Sequence, residues 1–199
     1  MNVAGAVVGL GNPGRKYRRT RHNIGFMALE AFREAVRPPA SLRELERAKG
    51  RFALWEYSLP ERARPWLLCE PLTFMNESGR AVSAVCRRFR IASENLLVIH
   101  DELDLSFGRI RFKDGGGLAG HNGLRSIAEL IGTRDFPRLR IGIGRPAAGA
   151  DVVDYVLSPF TAPERESLPG ILEEAAAGID LYCRDGMQAA MNRVHAFAA

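Results

Sequence analysis

The chain has 199 residues, 46% hydrophobic and 26% charged. That is long enough to bury a core in one domain, and too ordinary in composition for a fibrous, disordered or disulfide-stapled class. No apolar run approaches the roughly 18 residues that suggest a membrane span, and no charged-then-apolar leader is evident, so neither a span nor a secretory signal is expected.

Residues 3–10 read as a buried strand. Ile24–Val36 follows as a helix, with Phe26, Leu29, Phe32 and Val36 roughly on one face. Pro38-Pro39 stops it, and 40–50 reads as a polar connector. Strands are expected at 51–58 and 66–70, then a helix from a Ser78 cap to about Phe89. A strong apolar strand at 96–100 precedes the alternation of 107–112, which reads as a half-exposed strand. The glycine-rich 115–120 is a loop and 122–132 a helix. Leu139, Ile141 and Ile143 alternate in a strand at 138–144. From about 150 the chain is mostly helical, with breaks expected at Pro159, Pro163, Pro169 and Gly186. Strands interleaved with helices predict an α/β fold, a single domain over 1–199. Short hairpin-like spacings make its central sheet mixed, with helices on both faces.

Charge is unevenly placed. The net charge is +5, yet residues 1–50 carry 10 Lys and Arg against 4 Asp and Glu, and residues 151–199 carry 3 against 8. Five of the seven residues Arg15–Arg21 are basic, which suits a polyanion such as nucleic acid, although a solvated surface is the plainer alternative. Cys69, Cys86 and Cys183 form no CxxC pair and sit in apolar or helical segments. Free, buried thiols in a reducing cytosol are the expectation.

Candidate polar groups collect at strand ends. Asn12, Asn76, Asp101 and Asn122 each lie just after a strand or just before a helix, the edge at which open α/β sheets bind ligands. Gly9-Leu10-Gly11-Asn12-Pro13-Gly14 matches the dinucleotide pattern GxGxxG. The reading fails because Pro13 and the basic residues after it do not open an apolar helix, and no acid ends a second strand about 20 residues on. Pro13 instead pushes Asn12 toward an extended backbone, aiming its carboxamide at a ligand or merely stabilising the turn.

His22, just before the first helix, is a candidate general base, because imidazole titrates near neutrality and a carboxylate beside it would hold the tautomer. Asp101 and Asp104 are the available acids, Asp101 being nearer the strand end. His22, His100, Asp101 and His121 could cluster, but no HxH, HExxH or CxxC spacing supports a metal site. No GxSxG elbow supports a serine nucleophile. Asn76 and Asn122 are also natural helix caps. Lys113 with Gly115–Gly117 reads as either a mobile basic flap or a plain loop.

Several long motifs in order carry a family resemblance: GLGNPGxxYxxTRHNxGF, PxTFMNxSGxAV, HDELDLxxGxxRxKxGGGxxGHNGLRSI, FxRLRxGIGRP, YVLSPF (155–160) and NRVHAF (192–197). Together they resemble bacterial peptidyl-tRNA hydrolases across essentially the whole chain. One departure is Glu70, where that family often has a basic residue. The resemblance implies a cytoplasmic, monomeric enzyme that cleaves the ester joining a peptide to the 3′ ribose of tRNA, with no metal or organic cofactor and no membrane or DNA partner. It implies His22 as general base, Asp101 as its partner, and Asn12 as the residue that helps tell blocked from free aminoacyl groups. Tyr17, Phe74, Asn76 and Asn122 would contact substrate, and Lys113 and Arg140 would clamp the terminal phosphate of tRNA. A non-catalytic RNA-binding protein on the same scaffold would have no need of the His, Asp and Asn set together.

Overall fold

The computed structural model describes residues 1–48 and 50–195. Its strands are β1 (Gly5–Gly9), β2 (Ser41–Ala48), β3 (Phe52–Ser58), β4 (Trp66–Pro71), β5 (Leu96–Glu102), β6 (Ile110–Asp114) and β7 (Pro137–Gly142). Its helices are α1 (Ile24–Ala35), α2 (Ser78–Phe89), α3 (Asn122–Ile131), α4 (Val152–Val156), α5 (Ala162–Asp185) and α6 (Met187–Val194). The strands form one sheet in the order β2-β3-β4-β1-β5-β7-β6. The four central strands are parallel, and β2, β3 and β6 join antiparallel at the margins. The expected mixed sheet with helices on both faces is therefore present.

Burial explains the pattern. Every residue of β5 is buried, as a strand covered on both faces requires. Val7, Leu68, Leu97, Ile99, Leu139 and Ile141 point to the side of α1, α5 and α6. Val8, Leu67, Cys69, Leu96 and Val98 point to the side of α2 and α3. The helix after β1 and the helix after β4 thus lie on opposite faces. A crevice consequently opens at the carboxyl ends of the central strands.

Two close approaches locate that crevice. A Cβ on Gly25 would sit 2.5 Å from the Ile99 carbonyl oxygen, so only glycine lets α1 lie so near β5. That brings His22, three residues before Gly25, level with Asp101, two after Ile99. A Cβ on Gly79 would sit 2.0 Å from the Ser126 carbonyl oxygen. There α2 and α3 touch, and Gly79 N–H donates to Ser126 Oγ at 3.0 Å.

Three expectations need correction. Residues 41–48 of the supposed polar connector form β2, an edge strand paired with β3. Its charges face water, as edge strands favour, and a bulge between Glu44 and Glu46 breaks the alternation that would have revealed it. The half-exposed strand starts only at Ile110, because Gly108 (φ 81) sits in a turn before it. Helix α5 runs unbroken through Pro169. Pro169 and Arg165, whose carbonyl loses its bond, are both exposed residues, while Leu168, Ile171, Ala175 and Ile179 pack into the core and hold the helix together. Pro163 lies in the first turn, where its missing N–H is harmless. Cys69 and Cys183 are buried free thiols, and Cys86 is half-buried. Residues 196 and 197 of the last motif lie outside the described residues.

Candidate active site

His22 lies in a short 3-10 turn, Arg21–Asn23, and both neighbours are tied down. The buried Arg21 guanidinium donates to Ser158 Oγ (2.8 Å), Glu164 Oε2 (2.6 Å) and the Pro159 carbonyl, and lies 4.5 Å from the Tyr155 ring centre. Asn23 clasps the strand-end loop: its Oδ1 accepts from Asn12 N–H at 2.8 Å and its Nδ2 donates to the Asn12 carbonyl at 2.9 Å. His22 is therefore held between two anchored residues, with Nδ1 2.8 Å from Asp101 Oδ1.

His121 completes the group. Its Nδ1 accepts from Gly123 N–H (3.1 Å) and Leu124 N–H (3.3 Å), so it caps α3. Those donors assign the proton to Nε2, which donates to Asp101 Oδ1 at 3.0 Å. One buried carboxylate oxygen thus faces both rings. Burial alone pushes the Asp101 carboxyl up, but the His22 and His121 rings together hold it below the usual carboxylate range. Ionised Asp101 in turn favours His22 with its proton on Nδ1, leaving Nε2 as an acceptor.

The ligand atoms of His22, Asp101 and His121 lie within 4.8 Å of one another, a grouping that metals can use. His121 does not suit that role, because its Nδ1 lone pair is taken by backbone donors and its Nε2 carries the proton.

His22, Asp101, His121 and Asn122 line one cavity of about 150 Å³, closed in part by Val152, Val153 and Val156 of α4. Asn122 is exposed at the start of α3, and its Oδ1 accepts from Arg125 at 2.6 Å. Its amide is the end left for a ligand. Asn12 does not line this cavity but a second cleft; its Oδ1 accepts from Met75 N–H at 2.8 Å, so its amide too is the free end. Asn76 is exposed in the 3-10 turn Met75–Glu77 and caps no helix through its side chain. Nor is Ser78 a cap; it lies inside α2 and donates back to the Met75 carbonyl at 2.9 Å. Tyr17 and Phe74 meet edge to face, ring centres 6.4 Å apart, with Phe74 54% exposed. Asp104, the other candidate acid, pairs with Arg145 outside the cavity.

Lys113 and Arg140 lie on the β6–β7 pair. Arg140 faces Arg111 and Lys113 faces Arg138, so Lys113 and Arg140 are diagonal neighbours on one face. Arg140 Nε donates to Glu102 Oε2 at 3.0 Å, which links it to the residue beside Asp101.

Two contributors were not singled out from the sequence. His121 was weighed only as a metal ligand; its position between Gly120 and Asn122, ahead of a helix, was the available signal. Arg138 was read only as the start of a strand; it is buried and donates to the carbonyls of Gly117 (2.6 Å), Gly116 (2.9 Å) and Arg134 (2.7 Å). It thereby anchors the glycine-rich loop between Lys113 and His121.

The family described as peptidyl-tRNA hydrolase matches residues 6–199. The chain belongs to the peptidyl-tRNA hydrolase family. It is 47% identical over 199 residues to the peptidyl-tRNA hydrolase of Nitratidesulfovibrio vulgaris strain DP4, covering 99% of each chain. It is 46% identical to that of Rhodococcus jostii strain RHA1 over 192 residues, covering 95% of this chain and 96% of the relative. A crystal structure of peptidyl-tRNA hydrolase from Acinetobacter baumannii superposes with a TM-score of 0.86 at 34% identity, covering 99% of this chain and 98% of the other. The resemblance drawn from the motifs and the arrangement of strands and helices thus point to the same family.

His100 gives this family member a pH-dependent stability. Burial and the neighbouring His121 lower its pKa to about 3, so it is neutral in the folded state. An unfolded histidine takes up a proton near pH 6.5, so the unfolded state binds more protons below that pH and stability falls with falling pH. Denaturant melts at pH 5 and pH 7.5 are expected to differ by about 2 kcal/mol from this residue alone. His100→Gln should remove that part of the difference; an unchanged difference would refute the assignment.

Proposed function

We propose that this chain hydrolyses the ester between a peptide, or an N-blocked aminoacyl group, and the 3′ ribose of tRNA, with His22 as a metal-independent general base. The observation that carries the reading is the 2.8 Å contact of His22 Nδ1 with ionised Asp101 at the wall of a cavity. In the first step His22 Nε2 takes a proton from water as the water oxygen attacks the ester carbonyl carbon, and Asp101 stabilises the imidazolium. The carbonyl oxygen becomes an oxyanion and accepts a hydrogen bond from the Asn12 amide or from Asn76. Such a preorganised donor contributes about 3 kcal/mol. When the intermediate collapses, the C–O bond to the ribose breaks and the leaving 3′ oxygen takes the proton from His22. Asn122 orients the attacking water.

Tyr17 and Phe74 contact the substrate. Lys113 and Arg140 clamp the terminal phosphate, which positions tRNA without reading bases. A cytoplasmic monomer acting on many tRNAs is the matching biology. Among the described residues no helix is long and apolar enough to cross a membrane.

The direct test compares an N-acetyl-aminoacyl-tRNA with its unblocked counterpart on the same tRNA. Rapid release of the blocked group alone is expected, and no release of either would refute the activity. For the clamp, Lys113→Ala or Arg140→Ala is expected mainly to raise KM. Each should flatten the dependence of log affinity on log salt by roughly 0.7–0.9, one phosphate's worth. An equal loss on a short ester lacking tRNA would contradict that role.

A further inference from the structure

A second cleft, about 320 Å³, is lined by Asn12 and by Asn23, the chain neighbour of His22 in the catalytic cavity. Its charged lining comes from the loop after β1, from α1, and from β4 and β2: Arg15, Arg18, Arg33 and Arg47 with Glu30 and Glu70. We propose that this cleft is a peptide subsite that selects acidic side chains in the residue preceding the esterified one.

The inference deepens the proposed peptidyl-tRNA hydrolysis and rests on it. Sheet order supplies the direction. Lys113 and Arg140 stand on β6 and β7, beyond one side of the central β1–β5 pair, whereas Glu70 and Arg47 stand on β4 and β2, beyond the other. An ester carbon held between them carries its ribose oxygen and its acyl chain on different sides. If the ribose leads toward Lys113, the acyl chain leads past Asn12 into the cleft. The volume is that of a small ligand pocket, room for a side chain or two.

Charge supplies the chemistry. Four guanidinium groups against two carboxylates leave the lining at +2. The internal pairs are loose, Arg18 to Glu30 at 3.6 Å and Arg33 to Glu70 at 3.5 Å, and Arg47 reaches Glu44 at 3.3 Å. The Arg15 side chain makes no ion pair among the described residues. Arg33 and Arg47 lie 3.9 and 5.4 Å from the ring centre of buried Trp55. The ring holds both guanidinium groups in place, and the long pairs of Arg33 with Glu70 and of Arg47 with Glu44 leave N–H groups that an incoming carboxylate can compete for. A lysine in the same place would meet like charge.

The experiment uses one tRNA carrying N-acetyl-Asp-Ala, N-acetyl-Lys-Ala or N-acetyl-Ala. The unaltered chain is expected to show kcat/KM about fivefold or more higher for the Asp than for the Lys substrate at low salt, narrowing as salt rises. The double change Arg15→Glu with Arg18→Glu, both exposed, is expected to reverse that order when each rate is taken as a ratio to that on N-acetyl-Ala-tRNA. Equal rates for the Asp and Lys substrates would overturn the subsite. So would an equal loss on all three substrates in the double variant, the result expected if these arginines held tRNA phosphates. If the unaltered chain left N-acetyl-Ala-tRNA intact, the hydrolase reading itself would fail, and the subsite with it.

Discussion

Replacing His22 with Ala is expected to lower kcat by about 10³-fold or more while leaving tRNA affinity unchanged, because a positioned general base contributes roughly 10²–10⁴. The loss should not reflect unfolding. Asp101 keeps its 3.0 Å bond from His121, and the Arg21 and Asn23 anchors are backbone neighbours of the changed residue rather than partners of its ring. One buried hydrogen bond is removed, about 1 kcal/mol of stability. Single-turnover hydrolysis of N-acetyl-aminoacyl-tRNA, with tRNA binding measured alongside, separates the two effects. Turnover within tenfold of the unaltered chain would end the general-base assignment.

Asp101→Asn should come close in size, at about 10²–10⁴-fold in kcat. The carboxylate has two tasks that a neutral amide does less well. Its Oδ1 accepts from both His22 and His121, and in the proposed mechanism its charge stabilises the imidazolium formed as water is deprotonated. An asparagine oxygen placed alike could keep the contacts but not the charge. An asparagine turned over would present an N–H to His22 Nδ1 and impose the tautomer with no free Nε2 lone pair. The same variant carries a stability signature. Because the folded-state carboxyl is held below its usual range, the unfolded state binds more protons below about pH 4, and the stability that Asp101 contributes above that pH is lost as pH falls. The Asn variant should lack this acid limb. A kcat within tenfold together with an unchanged acid limb would show that the carboxylate serves neither purpose.

Particular residues show where reading the chain worked. The apolar run Leu96–Ile99, two residues before Asp101, announced a buried strand with an acid near its end, since four consecutive residues that shun water need cover on both faces. His22 was visible as a candidate base, and its Nδ1 does lie 2.8 Å from Asp101 Oδ1. β2 was invisible because a solvated edge strand has no apolar period, and only its pairing with β3 makes it a strand. Pro169 misled because the rule that proline breaks helices is local, whereas α5 is held by core contacts along its length. Arg138 carried no local signal, because its burial depends on three carbonyls from the preceding loops that converge on it.

Local chemistry, then, settled the class of fold, the order of most elements and the kinds of group available for hydrolysis, since hydrophobic period and turn-forming residues act over a few positions. Distances between remote groups were a matter for the packed molecule. Gly25 on Ile99 brings an imidazole to a carboxylate 79 positions away. The capping of α3 by His121 decides which nitrogen carries a proton, and the order of the strands sets Glu70 and Arg47 on the opposite side of the β1–β5 pair from Lys113 and Arg140. Such contacts depend on the close approach of segments distant in the chain, and no window of neighbouring residues encodes it.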